Sequence, residues 1–285
     1  MKKLALVTDS SCDVPADMVQ TYGIHVIPAY INFSAHESLP DDGVSITREQ
    51  FYARMKTAHP LPTTSAYSVG DAETVLRRAL DQAEHVIAIH ISAGLSAMYN
   101  STRLASENLG TDRITVIDSG SLSIGAGWQV LYAARAIAQG LDREAVLRVI
   151  GSVKKRTFLW AFPDSLDYLR RSGRISNVLG QIGEVLQIKP ILQANHGRVE
   201  PLSRARTSKN ALAKLLQYAQ AHLPIEGLAL IHLDNLEGLA RLRAGCASFA
   251  PPENTLEIFA SSAIGVNFGP GGLGLSVVKA ESPPH

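Results

Sequence analysis

Short apolar runs alternate with helical patterns along the first half of this 285-residue chain, and that alternation restricts the fold more than any other feature. Leu4 to Val7 reads as a buried strand, Asp13 to Tyr22 as a short helix stopped by Gly23, and Ile24 to Phe33 as extended. Thr47-Arg48-Glu49-Gln50 has capping-box spacing and opens a helix carrying Phe51, Tyr52 and Met55. Ser68-Val69-Gly70-Asp71 does the same for a helix reaching about Glu84. His85 to Ile91 is a strand, Ala97 to Leu109 a helix, Ile114 to Ile117 a strand, and Ile124 to Gln139 a long helix closed by Gly140. Strand–helix–strand alternation predicts an α/β fold with a parallel sheet covered by helices on both faces.

The second half changes texture. Thr157 to Phe162 reads as a strand and Arg170 to Ser176 as a basic turn. Ile188 to Leu192 and Arg198 to Leu202 read as a hairpin around Asn195-His196-Gly197. Ser208 to His222, Gly227 to Leu233, Asn235 to Phe249 and Thr255 to Phe259 continue as helix, strand, helix, strand. The predicted organisation is two α/β domains, residues 1–156 with the parallel sheet and residues 157–285 with a smaller mixed sheet and helices.

Charge and cysteine content exclude several classes of function. Lys plus Arg is 27 against 26 for Asp plus Glu, so there is no basic stripe to hold nucleic acid. The one short basic run, Lys154-Lys155-Arg156, reads as a solvated helix end. Cys12 and Cys246 form no CxxC pair, and the nine histidines show no ligand spacing, so neither a metal nor a redox site is expected. The apolar run at the start ends at Asp9, too short for a signal peptide, and none is long enough to span a bilayer. A cytoplasmic protein without integral membrane association is expected.

In an open parallel sheet, ligands bind beyond the carboxyl ends of the strands. Four segments there are crowded with small hydroxyls: Thr8-Asp9-Ser10-Ser11, Thr63-Thr64-Ser65, Ser92 to Ser96, and Asp118 to Ser123. Hydroxyls donate and accept without adding fixed charge, which suits a carboxylate or phosphate beside an apolar wall. The competing reading is that they are helix caps, which Ser, Thr and Asp favour. Gly269-Pro270-Gly271-Gly272-Leu273-Gly274 matches GxGxxG by letters, but it contains Pro and has only 11 residues after it, too few for a nucleotide-binding unit. No GxxxxGK[ST] or HExxH occurs. Gly94-Leu95-Ser96-Ala97-Met98 resembles a nucleophile elbow with Met98 in place of the second glycine, and its histidine would be His222 or His232.

Taken in order, these segments resemble the DegV family over nearly the whole chain. Val7 to Pro15 looks like its VTDSTADLP opening, Pro62-Thr63-Thr64-Ser65 like its PxTSQPS loop, and Ile91 to Tyr99 like ISSxLSGTY. Val116 to Gly125 looks like VxDSxxxSxGxG, Leu166 to Ile175 like LxYLKKGGRI, Arg206-Thr207 with Ala211 like RTxxKA, and Gly269 to Gly274 like GPGALG. The resemblance implies one long-chain fatty acid in an apolar tunnel, no cofactor, and a carrier that presents the carboxylate to a separate fatty-acid kinase subunit. Carried over motif by motif, Thr64, Ser65 and Ser96 hold the carboxylate, Arg174 sits near the head group, and Arg206 faces the partner. Gly269 and Gly271 turn the backbone so that position 267 approaches Ser96.

The chain departs from the family pattern at Ala66-Tyr67, at Ala97-Met98 and at Asn267, where the family places His. Asn donates a hydrogen bond but does not titrate near neutrality. Asn267 reads as a head-group residue or, alternatively, as the cap of a strand end. Two other functions stay open on the sequence: a serine hydrolase of small esters using Ser96, and a lipid sensor without a kinase partner.

Overall fold

The computed structural model describes residues 2–173 and 188–281. The parallel sheet forms as expected, in the order β2-β1-β6-β7, from β1 (Lys2–Asp9), β2 (His25–Ile27), β6 (Ala83–His90) and β7 (Ile114–Asp118). Every residue of β1 from Leu4 to Asp9 is buried, which requires cover on both faces. Helices α3 (Val69–Gln82) and α4 (Met98–Leu109) pack together against β1, β6 and β7. Helix α5 (Ser123–Ala138) lies against β1 and β6, with α1 (Ala16–Tyr22) and α6 (Arg143–Arg156) packed on it.

Three predicted elements differ from their expected form. The extended run from Ile24 splits at Pro28, whose missing N–H cannot serve a ladder. Its first piece is β2; its second, β3 (Tyr30–Ser34), joins a separate antiparallel sheet, β4-β3-β5, with β4 (Glu37–Pro40) and β5 (Thr63–Ser65). The first helix starts at Ala16 rather than Asp13, because Pro15 disfavours helical backbone at the residue before it. Part of the expected turn from Arg170 is the end of a short helix, α7 (Asp167–Ser172), closed by Gly173 at φ 65°. The capping boxes at Thr47 and Ser68 both form, the first opening α2 (Arg48–Met55) with Phe51, Tyr52 and Met55 buried.

The second half builds a mixed sheet in the order β10-β9-β8-β13-β11-β12. These strands are β8 (Thr157–Phe162), β9 (Lys189–Asn195), β10 (Arg198–Ala205), β11 (Ile225–His232), β12 (Thr255–Phe259) and β13 (Leu273–Lys279). Only β11 and β12 pair in parallel. At six strands this sheet is wider than the parallel one, because β13, which the sequence reading did not mark, enters at its centre between β8 and β11. Between β9 and β10, His196 and Gly197 both have positive φ, 43° and 80°, as a tight two-residue hairpin turn requires. Helices α8 (Ser208–Gln220) and α9 (Leu236–Cys246) cover one face over a core of Trp160, Leu215, Leu230 and Leu275. A short helix unmarked in the sequence, α10 (Ser262–Phe268), precedes β13.

The other face of the mixed sheet shares one core with the parallel sheet: Val7, Ile87 and Trp128 belong to the same cluster as Leu159, Ile231 and Val278. Helix α5 lies at its middle, with twelve of its sixteen residues buried. Trp128 Nε1 donates to Ser276 Oγ at 3.2 Å, and Arg135 reaches Asn254 Oδ1 at 2.9 Å. The basic run at the end of α6 is not wholly solvated: Arg156 pairs with Glu226 at 2.7 Å, joining α6 to β11. Among the described residues no helix is long and apolar enough to cross a membrane.

This packing leaves no room for a side chain at Gly127. A Cβ there would lie 2.4 Å from the Cys12 carbonyl oxygen and 2.9 Å from Ile124 Cδ1. Gly127→Ala is therefore expected to destabilise the protein by about 1–3 kcal/mol through overpacking, despite the better helix propensity of Ala. Urea denaturation measures this, and a variant at least as stable as the wild type shows that the α5 contact is not tight.

Candidate functional site

Because β1, β6 and β7 run parallel, their carboxyl ends at Asp9, His90 and Asp118 share one edge, and the hydroxyl-bearing loops meet there. Ser92 N donates to Ser121 O at 2.8 Å and Ser119 N to His90 O at 3.1 Å. The hydroxyls divide by what their side chains bond. Ser92 Oγ accepts from Gly94 N, Ser119 Oγ accepts from Ser121 N, and Thr8 Oγ1 donates to Ile89 O, so these three build the loops. Ser11, Thr64, Ser65 and Ser96 line a cavity instead.

The cavity is partly open to solvent, and the space between its walls and mouth, open solvent included, is about 900 Å³. The parallel-sheet side contributes Ile91, Leu95, Met98 and Leu122; β8 and β9 contribute Leu159, Ala161, Leu192 and Ala194. Leu169 of α7 and Ala263, Ile264 and Phe268 of α10 complete most of the apolar wall. Its polar groups come from the four hydroxyl residues with Ser172 and Asn267, and no described lining residue is charged. Ser65 Oγ accepts from Asn32 Nδ2 at 3.3 Å and Ser96 Oγ accepts from Met98 N at 3.3 Å. A hydroxyl that accepts keeps its own proton to donate, so both are donors for an anionic oxygen in the cavity. A second recess of about 430 Å³ shares Thr64, Ser172 and Asn267 with the cavity and adds Thr63, Tyr168 and Arg171.

Of the residues picked from the sequence, Thr64, Ser65, Ser96 and Asn267 therefore border one space, and Arg174 lies outside the described residues. Gly269 and Gly271 do not line it. They shape the turn from α10 into β13: a Cβ on Gly269, at φ 84°, would fall 2.2 Å from the Tyr168 ring, and Gly271 N donates to Leu233 O at 2.6 Å. Asn267 does not cap a strand end; it sits within α10 and donates from Nδ2 to Ala263 O at 2.8 Å. Arg206 is exposed in the connection from β10 to α8, away from the cavity. The hydrolase histidines are engaged elsewhere: His222 Nδ1 meets Tyr218 O at 2.8 Å, and His232 stacks on Phe259. Among the described residues no histidine bonds to Ser96. Ser172 and Arg171 were visible only as letters within a basic motif, and nothing local distinguishes the one that borders the cavity from its neighbours.

Helix α10, which brings Asn267 to the cavity, is held by two carboxylates from the first half of the chain. Asp13 Oδ1 accepts from Ser261 N at 2.8 Å, while Asp41 accepts from Ser262 N at 3.2 Å and Ala263 N at 3.1 Å. Carboxylates at a helix start satisfy otherwise orphaned N–H groups. Asp13 is fully enclosed, and burial raises its pKa from the ordinary value even though Arg48, 3.6 Å away, and the Ser123 hydroxyl pull it down.

Comparison with known proteins agrees over the full length. A family model described as "Uncharacterised protein, DegV family" matches residues 3–280. A DegV domain-containing protein of Caldanaerobacter subterraneus subsp. tengcongensis is 33% identical over 278 residues, covering 96% of this chain and 98% of its own. Among solved structures, a DegV family protein from Thermus thermophilus, described for its fatty acid binding, superposes with a TM-score of 0.89 at 32% identity, covering 98% of this chain and 100% of its own. DegV of Bacillus subtilis, described as a fatty acid binding protein, superposes with a TM-score of 0.85 at 28% identity, covering 98% and 100%.

The raised pKa of Asp13 has a consequence for stability. Between the unfolded value, about 3.9, and its higher folded value, the native state holds more protons than the unfolded chain, so this group's contribution falls as pH rises through that window. Asp13→Asn removes the titration. The stability of the wild type relative to Asp13→Asn is therefore expected to decline as pH rises above about 4, measured by urea denaturation at successive pH values. A constant difference across the range shows that Asp13 does not carry the effect.

Proposed function

The chain belongs to the DegV family, and from that premise we propose that it binds one long-chain fatty acid in the cavity between the parallel and mixed sheets. The observation that carries this reading is the lining itself: fifteen of the twenty-one described residues are apolar, and the other six are uncharged hydrogen-bonding side chains. About fifteen buried carbons at roughly 0.8 kcal/mol each give on the order of 12 kcal/mol of gross driving force. Ordering the acyl chain and the complex takes back several kcal/mol. The head-group site then needs to orient the acid more than to supply affinity, which Thr64, Ser65, Ser96 and Asn267 can do with hydrogen bonds. Arg171, from the adjoining recess, offers a positive charge without burying one in the cavity.

In this reading the chain divides after Arg156 into a unit that supplies the hydroxyls and a unit that supplies the opposite wall. The protein works in the cytoplasm as a carrier, without catalysis of its own, and presents the carboxylate to a separate acyl kinase. The exposure of Arg206 outside the cavity suits contact with that partner.

Delipidated protein is expected to gain stability on adding a long-chain acid, by about 2.7 kcal/mol at a hundred times the dissociation constant. Thermal unfolding with saturated and unsaturated acids of several lengths reads this, and an unchanged melting temperature with all of them rejects the reading. Ser96→Ala and Thr64→Val are each expected to weaken binding by roughly 1.5–3 kcal/mol, the range for a hydrogen bond to a charged group, with little change in melting temperature without lipid. Titration calorimetry gives the affinities. Labelling of Ser96 by a fluorophosphonate probe supports the hydrolase instead.

A further inference from the structure

Tyr67 stands in the middle of the candidate site without touching the cavity. It is 2% exposed and follows Ala66, which lines the cavity directly after Thr64 and Ser65. Its hydroxyl reaches three groups: Met98 O at 3.1 Å, Thr102 Oγ1 at 2.8 Å and His90 Nδ1 at 3.1 Å. The acceptors and donors order themselves. The Met98 carbonyl can only accept, so it takes the phenol proton. The Tyr67 oxygen then accepts from Thr102. His90 Nδ1 also lies 3.1 Å from Asp9 Oδ2, between the carboxylate and the phenol oxygen. His90 Nε2 is buried with no partner among the described residues. Burial pushes the Tyr67 phenol pKa well up, so it keeps the proton it donates.

We propose that Tyr67 is a positioning residue that sets the spacing between the two hydroxyl-bearing segments of the head-group wall, Thr64-Ser65 and Ser96. The connection runs through a single residue on each side, Met98 and Ala66. Tyr67 O–H holds the Met98 carbonyl, and the Met98 N–H donates to Ser96 Oγ at 3.3 Å. On the other side the chain runs from Tyr67 back through Ala66 into β5, whose three residues pair, among the described residues, only with β3. The Tyr67 hydroxyl is therefore the direct side-chain tie between β5's exit and the first turn of α4. The same network reaches Ile91 of the cavity wall, whose N–H donates to Asp9 Oδ2 at 2.9 Å. Without the tie, each segment keeps its own local structure, but the distance between their hydroxyls is no longer set. A carboxylate bridging both is affected most, because charge-assisted bonds depend most on alignment.

This proposal rests on the fatty-acid reading, and the experiment separates the two. Tyr67→Phe keeps the ring and removes the hydroxyl. Affinities for palmitic acid and for hexadecanol are measured for wild type and variant by titration calorimetry, with melting temperatures of the lipid-free proteins alongside. The expected result is a loss of roughly five- to tenfold in affinity for the acid and less than twofold for the alcohol. Thr102→Val, which removes the donor to the Tyr67 oxygen, is expected to shift the acid-to-alcohol ratio the same way by a smaller factor, and it serves if Tyr67→Phe does not fold. Equal losses for both lipids reduce Tyr67 to a general packing residue and overturn the proposal, as does an unchanged ratio. Wild-type protein that binds neither lipid overturns the fatty-acid reading itself, and this proposal with it.

Discussion

Helix α5 leaves almost no face to water, and the rest of the molecule is arranged around that fact. A helix apolar on all sides must be covered on all sides. Its first turns carry Gly125, Ala126 and Gly127, small enough for Cys12 to approach on one side and Leu159 on the other. The parallel sheet thus covers one side of α5 and the mixed sheet the other, and the core around α5 is shared by both halves. The two sheets meet at the edge where the parallel strands end, and the cavity forms there.

That position explains the cavity's composition. A space between two sheets is walled by residues that would otherwise belong to the cores, which is why Leu159, Leu192, Ile91 and Met98 all reach it. Its polar groups come from the loops after β1 and β6, where backbone turns call for Ser in any case, from β5, and from Ser172 of α7 and Asn267 of α10. No described residue of the cavity wall is charged. The fixed charges stay one layer out: Asp13 and Asp41 at the start of α10, and Arg171 in the adjoining recess. Oxygen ligands at the wall are neutral, so the cost of an empty cavity is lower than for an unpaired buried ion.

The buried polar network of Asp9, His90, Tyr67 and Thr102 belongs to the same logic. It lies behind the wall rather than in it, and its members satisfy one another apart from one histidine nitrogen. Such networks specify a single arrangement because a partly broken one leaves donors and acceptors unpaired in a low dielectric. Behind the wall, such a network fixes the backbone that carries the lining side chains, since Asp9 also accepts from Ile91 N at 2.9 Å.

Sequence alone determined the elements whose signals lie within a few residues of one another. The capping boxes at Thr47 and Ser68, the hairpin turn at His196 and Gly197, and the strand–helix alternation up to Gly140 are such signals, and the parallel direction of the strands followed from that alternation. The ordered motifs also single out Thr64, Ser65, Ser96 and Asn267, which border one cavity. Tertiary structure alone decided which hydroxyls face the cavity: Ser92 and Ser96 each accept from the N–H two residues on, but Ser92 Oγ also donates to Gly197 O, 105 residues away. It decided that Leu273–Lys279 is a central strand, because an apolar run after a glycine-rich turn has no local mark of its neighbours. It turned Arg156 from a solvated helix end into a partner of Glu226, and Tyr67 from a departure in a motif into a tie between two loops. The reason is the same throughout: local geometry is set by adjacent residues, whereas the partner of a side chain is set by segments tens or hundreds of residues away.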